Sequence, residues 1–412
     1  MNLKITNATL ADRKGNWNIA IANGYITEIT AESISKKADE VLDAGGNLLI
    51  PGLVDPHIHL DKALLLDRYP VVEGTFTEAL EKTLQAKQEY TVADIQTRAR
   101  KIIEKAIAFG TTAMRVHVEV DPILQLKSIE ALLPLKSEYA WGITLQLAVF
   151  AQEGITNQPG TLELLKKAMA MGGDVIGSAP YVDSDPAENI SLVFEIAREF
   201  DCDVDFHLDF LDDDAPLLLP VVIKETIKHN WHGRVCLGHM TKLAGLTPAE
   251  LTAFIPQLKE AGIAILALPA TDLYMMARQD THNVRRGVAP IDRLAESGIK
   301  VGLATNNVQN LFTPFGDGDV LKICTLLAQV LQLGTADSHQ LCLSMATTRA
   351  AQAIGIDNYG MEVGKVADLA LLEATSVSQA IATAPVARTT IKSGKIVAQT
   401  KFSLNFKRNI QL

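Results

Sequence analysis

The sequence predicts an α/β fold, a (β/α)8 barrel of the TIM type carrying a small β-sandwich built from both chain termini, on three observations. Strand-like apolar runs alternate with helical patterns through the middle of the 412-residue chain, and short, turn-bounded strand patterns recur at its two ends. Histidines close several of the apolar runs, at the strand ends where such barrels carry their chemistry.

Residues 1 to about 46 read as short strands. Asn18-Ile-Ala-Ile-Ala leads into Asn23-Gly24, a dipeptide that favours a tight hairpin turn, and Tyr25-Ile-Thr-Glu-Ile alternates on the far side. The C-terminal end returns to this style in Asp368-Leu-Ala-Leu-Leu, in Thr389-Thr-Ile and, after Ser393-Gly394, in Lys395-Ile-Val-Ala. Both ends are expected to share one β unit, residues 1–50 with 355–412, leaving 51–354 for the barrel.

The first barrel strand is expected to end in His57-x-His59, after the apolar run Leu48 to Ile50 and the interruption at Gly52, Asp55 and Pro56. A long loop follows. Thr91 then caps a helix with Ile95, Ala99, Ile102, Ile103 and Ala106 on one stripe, and Gly110 stops it. Further strands are expected at 113–120, 143–150, 174–179, 203–207, 234–239, 263–268 and 299–304, which with the first make eight. Helical patterns separate the later ones at 162–171, 190–200, 221–228, 248–261 and 291–296. Thr247-Pro-Ala-Glu250 is the clearest helix start, a capping box with proline at the first helical position. An open doubly wound sheet is the structural rival, but no Gly-x-Gly-x-x-Gly follows the first strand.

A chain with 48% hydrophobic and 21% charged residues is expected to fold, and its length suffices for a large core. A net charge of -10 argues against nucleic acid or an anionic membrane as partner. No apolar stretch reaches the length of a membrane span and the N-terminus leads into no signal-peptide core, so the cytoplasm is the expected location. Cys202, Cys236, Cys324 and Cys342 lack Cys-x-x-Cys spacing and read as reduced thiols.

A strand ending in His57-x-His59 projects both imidazoles to one side, because strand side chains alternate faces, and imidazole suits zinc or iron. Alternation likewise sends Arg115, His117 and Glu119 together, toward the barrel mouth, while the fifth strand ends on His207 and the sixth on His239. A single histidine closing an apolar strand is ordinary; five on one rim are not. His229, His232, His282 and His339 fall in helices or loops and carry no assignment.

This layout resembles the amidohydrolase superfamily, and within it the cytosine deaminase branch that also holds isopropylammelide-type aminohydrolases. The resemblance covers nearly the whole chain. It rests on the order and spacing of Pro51 to Lys62, Arg115-x-His117, Gln152-Glu-Gly154, His207-x-Asp209, Gly238-His239, Arg285-Arg-Gly287, Pro314-x-Gly316 and Gly364-Lys-x-Ala-Asp368. It implies a hydrolase acting on a C–N bond of a small cyclic, nucleobase- or triazine-like compound, and a homo-oligomer. One divalent ion, zinc or iron, would sit on His57, His59 and His207, with His239 as a further ligand or catalytic neighbour. Gln152, Asn307 and Phe312 fall by family position where the substrate is held, beside Phe210.

Two family positions depart, and both carry protons. The family's metal-bound aspartate after the eighth strand is Asn306 here, which can offer a carbonyl oxygen to a metal but cannot take a proton from water. The family's glutamate three residues after the fifth-strand histidine is Phe210. Positioned acid–base groups typically contribute about 10² to 10⁴-fold, so deamination of cytosine by the usual route should be badly impaired. His239 and Asp209 are the candidate replacement proton carriers, Asp209 because alternation places it beside His207; the run Asp212 to Asp214 reads as a solvated loop. The expected protein is a C–N hydrolase with altered proton handling, and the alternative is a barrel that binds a small ligand without turnover.

Overall fold

The computed structural model describes residues 1–210, 213–285 and 287–406, so that Asp212, Arg286 and the last six residues of the C-terminal β unit lie outside the described residues. The N-terminal strands are β1 (Leu3–Leu10), β2 (Arg13–Ala22), β3 (Tyr25–Thr30), β4 (Glu40–Asp43) and β5 (Leu48–Pro51). The chain then crosses into the barrel at Gly52. A side chain there would collide with Thr112, whose Oγ1 lies 2.3 Å from the position of a Cβ. The apolar run at 48–50 therefore belongs to the terminal sheet and not to the barrel strand it precedes, which is β6 (Leu53–Ile58).

The barrel alternates strands with helices as the sequence predicts. After β6 come α1 (Phe76–Lys87), α2 (Val92–Ala108), β7 (Thr111–Glu119), α3 (Lys127–Glu138), β8 (Thr144–Ala151), α4 (Thr161–Gly172) and β9 (Val175–Ser178). Then follow α5 (Pro186–Phe200), β10 (Asp203–Leu208), α6 (Leu219–Lys228), β11 (Val235–His239), α7 (Pro248–Ala261), β12 (Ala264–Ala267), α8 (Pro269–Met275), α9 (Ile291–Glu296) and β13 (Lys300–Leu303). β6 to β13 form a parallel sheet in sequence order. It closes into a ring where Asn306 pairs with Ile58: the Asn306 N–H donates to the His57 carbonyl at 2.9 Å, and the His59 N–H donates to the Asn306 carbonyl at 2.8 Å. The closure thus runs through residues of the candidate site.

Several helices had no clear sequence signal. The long loop after β6 contains α1, started by the Thr75 side chain, whose buried face is mostly small or polar (Glu78, Ala79, Thr83, Ala86 and Lys87) and so shows little apolar stripe. α10 (Val320–Val330) is nearly continuous in apolar residues, so no 3.6-residue period stands out against it. After it come α11 (Ala336–Met345), α12 (Thr348–Ala353), β14 (Leu369–Leu372), α13 (Val377–Thr383), β15 (Arg388–Lys392) and β16 (Lys395–Gln399). None of the helices among the described residues is long and apolar enough to cross a membrane.

The terminal strands form one sheet, ordered β16-β15-β14-β5-β1-β2-β3, with β4 beside β1. Ile19, Ile21 and Ile26 from one end share a core with Leu369, Leu371 and Ile391 from the other, so the sheet folds over on itself. It is latched to the barrel through β15. Arg388 donates to both oxygens of Asp319 at 2.7 Å and to the Phe109 carbonyl at 2.7 Å, while the Thr390 hydroxyl donates to the Ile107 carbonyl at 2.6 Å. Arg388→Met strands a buried carboxylate and is expected to cost about 3–5 kcal/mol, read as a lower denaturant midpoint at unchanged slope.

Candidate metal-dependent active site

Four histidines converge at the C-terminal end of the barrel. His57 lies in β6 and His59 just beyond it, and the Nε2 atoms of both are 3.1 Å from His207 Nε2 on β10. His239 is the last residue of β11, with a left-handed backbone (φ 71°) that turns its ring inward. One nitrogen each from His57, His207 and His239 lies within 4.8 Å of the others. Gly238 makes the room: a Cβ there would stand 3.0 Å from the His57 ring.

The chemistry of these rings suits a cation. Burial, reinforced by the neighbouring rings and Lys62, holds His57, His59 and His207 well below the usual histidine range, so each is a neutral lone-pair donor. His207 Nε2 faces two other Nε2 atoms, and no arrangement of ring protons gives all three nitrogens a good partner. Asn306, at φ 63°, lines the same chamber with a buried Oδ1 that has no hydrogen-bond partner. A divalent ion would satisfy these atoms together.

A supporting layer lies beneath. His117 stacks on His57 with ring centroids 3.7 Å apart, and its Nε2 is 3.2 Å from Asp205 Oδ1. Asp205 also accepts from Arg115 at 2.8 Å. Arg115 therefore points into the barrel but not to its mouth: it reaches down to donate to the Ile354 carbonyl at 3.1 Å. Asp205 was legible in principle, since it sits two residues before His207 on the same strand face. Asp272, which stands 2.7 Å from His239 Nδ1 and accepts from the Leu268 N–H, lies in the short α8 and gave no sequence signal. With Nδ1–H given to Asp272, His239 presents the Nε2 lone pair to the chamber.

The chamber wall is formed by Lys62, Gln152, Phe210, Asn307, Phe312 and Tyr181, among others. Phe210 is buried, with its ring centroid 4.1 Å from that of His239, and it packs in an apolar cluster with Phe76, Phe312 and Tyr181. Asn307 lines the chamber, but its Oδ1 accepts from Asn310 at 2.6 Å and its Nδ2 donates to Thr271 at 3.3 Å. Asp209 does not face His207. Its φ of 46° breaks the alternation, and its two oxygens accept from the Leu218 and Leu219 N–H groups at the start of α6. Asp213 pairs with Lys242 at 2.5 Å on the outer surface. Among the described residues, no carboxylate lines the chamber.

Residues 71–398 match the amidohydrolase family. The chain belongs to that family. It is 31% identical over 412 residues to the N-isopropylammelide isopropyl amidohydrolase of Pseudomonas sp. (strain ADP), covering 97% of each chain. Its structure is similar to that of 5-methylcytosine deaminase from Klebsiella pneumoniae liganded with 5-fluorocytosine, with a TM-score of 0.91 and 31% identity over 98% of this chain and 99% of that one. It is also similar to N-isopropylammelide isopropylaminohydrolase from Burkholderia multivorans ATCC 17616, with a TM-score of 0.86 and 25% identity over 97% and 99%. The amidohydrolase barrel and its terminal sheet are thus as the sequence predicts, and the family makes the chain a hydrolase of C–N bonds other than peptide bonds.

Proposed function

We propose that this amidohydrolase cleaves a C–N bond of a small nucleobase- or triazine-like ring, with one zinc or iron ion held by His57, His59 and His207 and by the Asn306 carbonyl oxygen. The convergence of the Nε2 atoms of three neutral imidazoles upon one point, beside the unpartnered Asn306 Oδ1, carries the reading. When bound, such an ion acts as a Lewis acid and lowers the pKa of water to about 7.

The chain's own residues handle the proton. His239, fixed by Asp272, takes it from the attacking water at Nε2 and returns it to the departing nitrogen as the C–O bond forms and the C–N bond breaks. Phe210 and the rings around it exclude bulk water. The open space inside is about 20 Å³, room for a water molecule.

Asp272→Asn neutralises the carboxylate that sets the His239 tautomer and leaves one accepting end where the His239 Nδ1–H and the Leu268 N–H each need one. It is expected to lower kcat/KM by about 10- to 100-fold while leaving metal content in place, measured by steady-state kinetics beside elemental analysis. The reading itself is tested by screening metal-replete protein for ammonia or amine release from amino-substituted pyrimidines and triazines. Among the described residues no carboxylate lines the chamber, which favours a second reading, a barrel that binds such rings without turnover. Tight binding with no release from any ring would select it.

A further inference from the structure

Tyr181 brings a hydroxyl to the chamber wall that the proton path through His239 leaves unused. It lies in a single 3-10 turn, Pro180–Val182, just past the end of β9, and is half-buried. No motif by which the chain resembles its family contains it. Its ring centroid is 5.9 Å from that of Phe210, which in turn is 4.1 Å from that of His239. The phenol therefore packs on the residue that stands where the family's pattern has a glutamate.

The surroundings of the hydroxyl leave its proton to be given away. Burial raises the phenol above the usual tyrosine range, and the Asp272 carboxylate adds to this, while the Gln152 side chain works against it. Only a hydrogen given to the oxygen favours the phenolate, so Gln152 acts here as a donor, in keeping with its Oε1 already accepting from Lys62 at 3.1 Å. Tyr181 is then a neutral phenol that accepts from Gln152 and has its own O–H to offer. The other polar groups of the wall are engaged. Thr271 shares a hydrogen with Thr313 at 2.6 Å and accepts from Asn307 at 3.3 Å, and Lys62 serves Gln152 and, at 3.6 Å, Glu119.

We propose that the Tyr181 hydroxyl is the hydrogen-bond donor to the ring nitrogen next to the carbon under attack. As water adds, the C–O bond forms and the π pair of the C=N bond moves onto that nitrogen, where the Tyr181 O–H steadies the new charge and keeps its proton. The pair returns to the ring as the exocyclic C–N bond breaks, and the departing nitrogen takes the proton that His239 removed from the water. This rests on the proposed function, and it gives part of the missing glutamate's task to a group that polarises without transferring a proton.

The test is calorimetric binding to metal-replete protein of 2-aminopyrimidine and of aniline, two rings alike in size and neutral at neutral pH, of which only the first has ring nitrogens. The wild-type chain is expected to bind 2-aminopyrimidine about tenfold more tightly, the upper end of one neutral hydrogen bond. Tyr181→Phe, which removes a single oxygen, is expected to lose most of that preference and to keep its metal content by elemental analysis. Equal binding of the two rings by the wild type, or no measurable binding of 2-aminopyrimidine, overturns the proposal, and that arm needs no variant to fold. A ratio unchanged in Tyr181→Phe overturns it too, since the ring nitrogen would then be held by the ion alone. For any ring that is turned over, Tyr181→Phe should lower kcat about tenfold and change KM little, because the bond strengthens as the nitrogen gains charge; an unchanged kcat overturns the proposal. Turnover with the ratio unmoved in Tyr181→Phe defeats this proposal alone, whereas a ratio that collapses while no ring is turned over defeats the hydrolase reading and leaves the contact standing.

Discussion

Replacing His207 with alanine is expected to empty the site and abolish turnover. His207 Nε2 is the atom that both His57 and His59 face at 3.1 Å, so its loss removes the ring common to the cluster and opens a gap at its centre. Metal content, measured by elemental analysis after metal-replete expression, should fall at least about tenfold. Turnover of any ring the screen finds should fall by about 10³-fold or more, because Lewis-acid stabilisation is worth several kcal/mol and each 1.4 kcal/mol is about a factor of ten. His229→Ala is the control. His229 ends α6 through its backbone N–H, and its ring stacks on Phe194 at a centroid distance of 5.5 Å and pairs with Glu225, so removing the ring should leave metal and turnover alone. His207→Ala protein that keeps both its metal and its activity would remove the proposed site.

How much of this was legible in the sequence depends on where each residue sits relative to the end of its strand. His57 and His59 share a side because a strand alternates with period two, and His117 and Asp205 obey the same rule within β7 and β10. The rule stops at the rim. Asp209, His239, Met240 and Asn306 all have positive φ, at 46°, 71°, 53° and 63°, so the backbone leaves strand geometry where the chemistry begins. Extrapolating alternation one residue past β10 put Asp209 beside His207, whereas the turn sends it to the start of α6. Asp272 was invisible for a different reason: it is in sequence merely one acid in a short helix, and its value comes from reaching His239 across 33 residues. Lys62 lay inside a recognised motif, yet its partner Gln152 stands 90 residues away.

Installing the two carboxylates is expected to turn the chain toward neutral aminopyrimidines. Phe210→Glu places an acid–base group beside His239, where the phenyl ring now lies 4.1 Å from the imidazole by centroid. Asn306→Asp converts an unpartnered carbonyl oxygen into a proton acceptor at the point where the barrel closes. Together they should raise kcat/KM for ammonia release from cytosine by about 10² to 10⁴-fold, the usual contribution of positioned acid–base groups. Stability should drop, because the glutamate enters an apolar cluster with Phe76, Phe312 and Tyr181; about 1–3 kcal/mol is the scale for a buried polar group of this kind. A gain already present in Phe210→Glu alone locates the missing shuttle at position 210, and a gain confined to the double variant ties it to Asn306 as well. A folded, metal-loaded double variant with no gain on cytosine would mean that proton handling is not what separates this chain from its deaminating relatives.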